Sequence, residues 1–353
     1  MTLMTPLLQN IKNNLNQQSK KDDDRPIVVI DGMNIFIRMF CARMDITTSG
    51  DPVGGVVGVL KFINRICNDF YPKKLYIVWE QGGPSPRRKK IYSEYKANRV
   101  KDKDSFKDVA KEGERWIKDD TENKFKQLHL LTNAIKHIPV CQLYIPDTEA
   151  DDVVAYLVKF KLKHLDPFSK KIIVSSDKDF YQLLDDPKVE IFEPSKKVLI
   201  TGDSVKEKFG IAPRNFCLAR SLVGDTSDNI DGIPGVGLKT VAKRLPETLD
   251  DTKDLQAQDI IDYCQTMLDE KSKIKVYQEI VNNQSIMERN WQLMYLDTSA
   301  FSSSQIQKID YIVDNFNPQM DKLAFIKSLM SASIVTDIDF DRMSIELKRT
   351  LVE

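Results

Sequence analysis

Histidine is scarce in this chain: His129, His137 and His164 are the only three in 353 residues, and no spacing pairs them. That excludes a histidine-based metal centre and a Ser-His triad, and leaves any metal chemistry to carboxylates. Cysteine is sparse as well. Cys41, Cys67, Cys141, Cys217 and Cys264 stand singly with no Cys-x-x-Cys, which argues against zinc ribbons and disulfide frameworks and for a reducing, cytoplasmic setting. No apolar run is long enough to span a bilayer, and the first residues lack the basic-then-apolar pattern of a secretory signal. No membrane partner is expected.

Net charge is missing too, with 52 basic and 52 acidic residues. A zero sum ordinarily argues against nucleic acid as a partner, but here the charge is segregated. Arg87, Arg88, Lys89, Lys90, Lys96, Arg99 and Lys101 face a single acid, Glu94, within fifteen residues. Such a distribution is compatible with a basic groove beside an acidic pocket.

The most informative stretch is Ile172 to Asp179, IIVSSDKD. A β-branched run reads as a buried strand and ends in Asp177 and Asp179. Open α/β sheets place their ligands at the carboxyl ends of strands. If the extended backbone persists, two acids at i and i+2 point to one face, where they repel unless a cation lies between them. Similar acidic turns recur. Ile27–Ile30 runs into Asp31-Gly32-Met33-Asn34 and an apolar helix, a position where Asp is also an ordinary helix cap. Leu75–Trp79 ends in Glu80. Leu143–Pro146 leads to Glu149, Asp151 and Asp152 in the first turn of a helix, more acid than a cap requires. Val189–Phe192 and Val198–Ile200 read as a closing pair of short strands. This βα order predicts an α/β fold, a mainly parallel twisted sheet flanked by helices.

Residues 1–24 read as a polar tail, with Leu7, Leu8, Ile11 and Leu15 at helical spacing. The α/β core is expected over 25–202. It carries a basic, polar excursion at about 81–130 that ends in an amphipathic helix with Phe125, Leu128, Leu131 and Ile135 on its apolar face. Tyr92 and Tyr95 among the cations either stack on bases or pack. Residues 203–353 read as a helical region. It contains Asp225, Asp228 and a Gly-Ile-Pro-Gly-Val-Gly turn before an apolar-periodic helix, at about 220–246. The free N–H groups of that turn, at Gly235 and Gly237, suit a phosphate, assisted by Lys239, Lys243 and Arg244. This is the form of a helix-hairpin-helix.

Many carboxylates after strand ends, converging on one sheet edge, call for divalent cations that prefer oxygen, Mg²⁺ or Mn²⁺. The chemistry that uses two such ions is in-line attack on a phosphodiester. The segments VVIDGMN, YKANR, EADD, SSDKDFYQL and GDTSDNIDGIPGVGLKT, in this order over Ile27 to Leu245, resemble the 5′ nuclease family. Within that family the chain is most similar to the phage ribonuclease H of the 5′ nuclease type.

The resemblance implies a PIN-like core with a helical arch, and a Mg²⁺-dependent 5′→3′ exonuclease and flap endonuclease leaving 5′-phosphate products. Asp31, Glu149 and Asp151 would hold the first ion, with Glu80 and Asp152 close by. Asp177, Asp179 and Asp228, with Asp225 adjoining, would serve the second. Lys96 and Arg99 of YKANR would lie over the scissile phosphate on one helix face, and Arg38, after the first Asp motif, would also reach that phosphate. Arg87, Arg88, Gly235, Gly237, Lys239, Thr240 and Lys243 would contact DNA, and K⁺ would fit the helix-hairpin-helix turn. Glu80 departs from the family's usual Asp.

The implied partners are 5′-flap, fork or nicked duplex DNA and RNA–DNA hybrids. A single-strand DNA-binding protein or a sliding clamp would be the protein partner of a monomer in the cytoplasm (the host's, if the chain is phage-encoded). The rival readings are a single-strand ribonuclease on the PIN-type fold and a non-catalytic module that binds branched DNA. The helix-hairpin-helix tells against the first. The full set of acids tells against the second, since a mere binder gains nothing by repelling phosphate.

Overall fold

Four consecutive β-branched residues, Ile27 to Ile30, followed by Asp31 and all buried, make a strand covered on both faces. In the computed structural model this strand, β1, lies near the middle of a six-stranded sheet of order β3-β2-β1-β4-β5-β6. The structure describes residues 25–80, 82–98, 120–334 and 338–351. The expected tail at 1–24, Arg99 and the charged stretch up to residue 119 lie outside them.

After β1 come α1 (Gly32–Ala42), α2 (Gly54–Phe70), β2 (Lys74–Trp79), the short α3 (Pro86–Ile91), α4 (Asp120–Ile135) and β3 (Cys141–Tyr144). Next is α5 (Ala150–Tyr156), which runs through a π turn at Leu157–Lys161 into α6 (Leu162–Leu165), and then β4 (Lys171–Val174). A 3₁₀ segment (Lys178–Asp185) leads to β5 (Val189–Glu193) and β6 (Val198–Ile200), followed by α7 (Gly202–Phe209) and α8 (Pro213–Val223). A two-stranded ribbon, β7 (Gly224–Asp225) with β8 (Ile230–Asp231), precedes α9 (Leu238–Arg244). The remaining helices are α10 (Ala257–Asp269), α11 (Lys275–Asn282), α12 (Gln284–Met294), α13 (Ser303–Asp314), α14 (Lys322–Ser331) and α15 (Phe340–Lys348).

Within the six-stranded sheet β1 to β5 are parallel and β6 turns back antiparallel to β5. The two-residue side-chain period of the strands builds two separate cores. Ile27, Val29, Tyr76, Val78 and Ile173 face one that includes α5, the 3₁₀ segment and α8 to α13. Val28, Ile30, Leu75, Ile77, Ile172 and Val174 face the other, against α1, α2 and α4. Phe325, Leu329, Met343 and Leu347 of α14 and α15 return to that second core. In α4 the expected apolar face holds for Leu128, Leu131 and Ile135, but Phe125 is exposed, one turn short of the packed part.

Register fixes the functional edge. Asp31 pairs with Val78, and Ile30 with Val174, so Asp31, Glu80 and the Ser175–Asp177 turn all emerge at the carboxyl end of three adjacent strands. The β7–β8 ribbon is built on Gly224, whose φ of +77° with ψ near 180° is a region open essentially to glycine alone. A Cβ there would stand 2.4 Å from the Gly232 nitrogen and 2.5 Å from the Ile230 oxygen. Gly224→Ala should therefore lower the free energy of urea unfolding by about 1–3 kcal/mol from backbone strain alone, with the clash in addition. Unchanged stability would contradict the ribbon.

Candidate active site at the carboxyl edge of the sheet

Each acid at the edge is placed by local chain chemistry. Asp31 caps α1, accepting from the Asn34 N–H at 3.2 Å, and its second oxygen accepts from Ser175 Oγ at 3.0 Å. Asp177 caps the 3₁₀ segment through the Asp179 N–H at 2.8 Å. This tight turn, rather than a prolonged strand, brings Asp177 and Asp179 together. Glu80 accepts from the Ala150 N–H at 3.2 Å, so it caps α5, the helix that carries Asp151.

These carboxyls are short of positive charge. Burial, then Glu80 and Asp177, lift Asp31 to about 7 against hydrogen bonds that oppose the rise. Asp179 reaches about 7 through burial and Asp177, with Arg220 pulling the other way. Asp151 is raised well above the ordinary range by burial, Asp177 and Asp31, and Asp177 is raised by burial with Asp228 adding to it. All the donors are carboxylate oxygens, which suits a hard divalent cation. Among the described residues no three side chains form a ready-made chelate. The acids share a field, while the oxygens of Asp31, Asp177 and Asp179 are turned to caps, to Ser175 and to Arg220.

Two expected roles change beside them. Arg88, taken from sequence as a DNA contact, is 2 % exposed. Its Nη1 and Nη2 donate to both oxygens of Asp152, at 2.5 and 3.0 Å, and its Nε donates to the Leu293 carbonyl at 2.7 Å. Asp152, expected near the first ion, thus commits both oxygens to a bidentate pair. Burial of this cation is offset by the bidentate geometry and by the carbonyl that takes its third nitrogen.

Glu149 is also pre-engaged. It accepts from the Ser85 N–H at 2.9 Å, the Lys96 ammonium at 2.5 Å and the Tyr95 hydroxyl at 3.1 Å. Burial would raise it, but Arg88 and Lys96 together hold it down to about 2. As it stands, Glu149 anchors the arch base, and Lys96 lies where its charge reaches the acids. Lys96 is 5 % exposed and adopts φ +57° within a turn, not a helix, so the expected helical face shared with Arg99 is absent at Lys96.

On the far side, Arg220 of α8 donates to Asp179 and Asp225. The other Asp225 oxygen accepts from the Ser227 N–H and hydroxyl. Asp225 is therefore the counterion of Arg220 rather than a spare ligand. Asp228 accepts from Tyr95 at 3.3 Å, and its carbonyl accepts from the Lys96 N–H at 2.8 Å. Of the two tyrosines, Tyr95 is buried and Tyr92 lies under the Arg289 guanidinium at 4.4 Å.

Arg38 is exposed on α1, and Arg87 is half-buried near Asp297. Gly235 has φ +76° and Gly237 caps α9 at φ −117°, so only the first needs glycine's freedom. A Cβ on either would meet nothing within 4 Å, which leaves this backbone open to a ligand. Lys239 and Lys243 are exposed beside it, and Thr240 is half-buried. Sequence reasoning missed Arg220, Ser175 and the anchoring role of Tyr95. Arg220 had a signal: an arginine inside the apolar run FCLARSLV must find partners.

Removing Arg88 strands two acids. Arg88→Ala should destabilise the chain by about 3–5 kcal/mol, as loss of one partner of a buried pair does. Arg88→Met with Asp152→Leu should recover most of that. Chemical denaturation of the three proteins checks it, and a mild effect of the single change would mean a solvated arginine.

Residues 26–210 match the family described as "5′-3′ exonuclease, N-terminal resolvase-like domain". A 5′-3′ exonuclease of Buchnera aphidicola from Acyrthosiphon pisum is 31% identical over 234 residues, 66% of this chain and 70% of that protein. The thermostable DNA polymerase I of Thermus thermophilus is 32% identical over 222 residues, 63% of this chain but 24% of the polymerase. Among solved structures, a bacteriophage T5 flap endonuclease with DNA and metal ions superposes with a TM-score of 0.64 at 22% identity. It covers 82% of this chain and 98% of its own, and shares the fold. With over half its length matched by the family, the chain belongs to the 5′-3′ exonuclease family of phosphodiester hydrolases.

Proposed function

We propose that this chain is a divalent-metal-dependent, structure-specific 5′ nuclease that removes 5′-ended flaps and primers from branched DNA and RNA–DNA hybrids, leaving 5′ phosphates. The observation that carries this reading is the set of desolvated, mutually repelling aspartates at one sheet edge, overhung by the arch base from Ser85 to Asn98. Asp31 and Asp151, with Glu80 beside them, would hold one Mg²⁺ or Mn²⁺, and Asp177, Asp179 and Asp228 a second. Bound there, such ions supply Lewis-acid polarisation of the phosphate and a water acidic enough to attack near neutral pH.

The chain's own residues do the rest. Lys96, held by Glu149, puts a desolvated cation beside the acids, where it best offsets charge growing on a phosphate. The open Gly235–Gly237 backbone, Lys239, Thr240 and Lys243 suit the phosphates of the duplex, with room for K⁺ at the turn. Arg38, exposed on α1, and Arg87 would flank the path of the 5′ strand. The T5 relative's crystals hold DNA and metal ions, which supports the reading. A single-strand DNA-binding protein or a sliding clamp would bring the enzyme to its substrate in the cytoplasm.

A 5′-flap duplex labelled at either end should be cleaved with Mg²⁺ and left intact with EDTA. Asp177→Asn should lose cleavage by about 10²-fold or more while binding the flap as well or better, because a ligand is lost and repulsion of phosphate falls. Wild-type turnover by Asp177→Asn would sink the assignment.

The raised acids also set a pH dependence. Asp31 moves from 3.8 to about 7 on folding, so between those values the folded chain holds a proton that the unfolded chain has released. Stability falls as pH rises through that window, and Asp179 acts in the same sense. In EDTA, melting temperature should drop from about pH 5 to about pH 7.5, and the drop should shrink in Asp31→Asn. A drop of equal size in the variant would place the proton elsewhere.

A further inference from the structure

Arg220 sits where an arginine has little business. Phe216, Cys217, Leu218, Ala219, Ser221 and Leu222 around it on α8 are buried, and Arg220 itself is 8 % exposed. Its three nitrogens are all spent: Nη1 on the Gly224 carbonyl at 3.3 Å, Nη2 on Asp225 Oδ2, and Nε on Asp179 Oδ1 at 3.3 Å. Asp225 is saturated by this pair and by Ser227, at 2.9 Å from the nitrogen and 2.6 Å from the hydroxyl. Asp179 is not saturated. Its contact with Arg220 is one long hydrogen bond to a single oxygen. The other carboxyl group differs: among the described residues no cation is hydrogen-bonded to Asp31 or to Asp151, and Lys96, whose charge reaches Asp151, is itself held on Glu149.

We infer that Arg220 is a positioning residue acting through Asp179: a resident cation that competes with a divalent ion for that carboxylate, so the two acid groups bind their ions with unequal strength. The inference rests on the divalent-metal reading above and goes further than it. A fixed positive charge in contact with a ligand oxygen opposes a second cation at the same oxygen, and in a partly desolvated site that opposition is large. The group around Asp31 and Asp151 therefore fills first. The group around Asp177, Asp179 and Asp228 fills only when the ion takes Asp179 from Arg220, which stays in place on Asp225 and the Gly224 carbonyl. Asp225 thus tunes the second group without ligating anything, because it holds Arg220 back from Asp179.

The test is Mn²⁺ binding to the DNA-free protein, read by the electron paramagnetic resonance of free Mn²⁺, for the parent, Arg220→Gln and Asp225→Asn. Circular dichroism establishes that each is folded. The parent should show a stronger and a weaker class of site. In Arg220→Gln the weaker class should tighten by about tenfold or more while the stronger class stays put. In Asp225→Asn, where the arginine loses its counterion and turns to Asp179, the weaker class should loosen. The opposite signs separate competition from damage, since a merely structural arginine would loosen binding in both variants or in neither. Two classes in the parent that neither variant moves would overturn the inference alone. A parent that binds no Mn²⁺ would overturn both it and the metal-dependent reading. Should Arg220→Gln fail to fold, Asp225→Asn decides by itself: unchanged or tighter weak-site binding refutes the competition.

Discussion

Carboxylates withdrawn from water onto one edge of a sheet repel one another, and most of what surrounds this edge can be understood as a response to that repulsion. Asp31, Asp151, Asp177 and Asp179 are neither paired with each other nor fully neutralised. An isolated arrangement of this kind is unfavourable in any fold. It is tolerated because Asp31 and Asp177 double as helix caps, because Asp179 accepts from Arg220, and because β1 and β4 beneath are fully buried.

Two arginines and a lysine take up the remaining charge, each in its own way. Arg88 locks Asp152 and reaches Glu149, and through the Leu293 carbonyl it ties the arch base to α12. Lys96 closes on Glu149. Arg220 divides itself between Asp179 and Asp225. The helical region after residue 202 is therefore not an appendage to the catalytic edge. It supplies Leu293, Arg220, Asp225 and Asp228 to it, and its buried residues share a core with the strands.

The same ties link substrate-facing elements. The Asn98 amide donates to the Thr226 carbonyl, and the Asn229 amide to the Glu94 carbonyl, so the arch base is stitched to the loop that precedes the Gly235 turn. Tyr92 under Arg289 adds a third contact. A duplex held at that turn and a strand passing the arch would thus meet one connected framework, with the acids at its centre.

The sequence by itself determined the sheet, its parallel order and the position of every acid along it. Buried β-branched runs ending in Asp or Glu have few folded solutions, and helix caps and the Gly-Ile-Pro-Gly-Val-Gly turn are local events set by adjacent residues. Asp31, Asp177 and Gly235 were legible for that reason. Only the tertiary structure decided which charges meet. Arg88 and Lys90 are alike in sequence, yet one is buried on Asp152 and the other is exposed. Asp152 and Asp225 read as ligands until partners 64 and 5 residues away in the chain claim their oxygens. Ion pairing depends on distances of a few ångströms and on shielding from water, and neither is written in the spacing of residues along a chain.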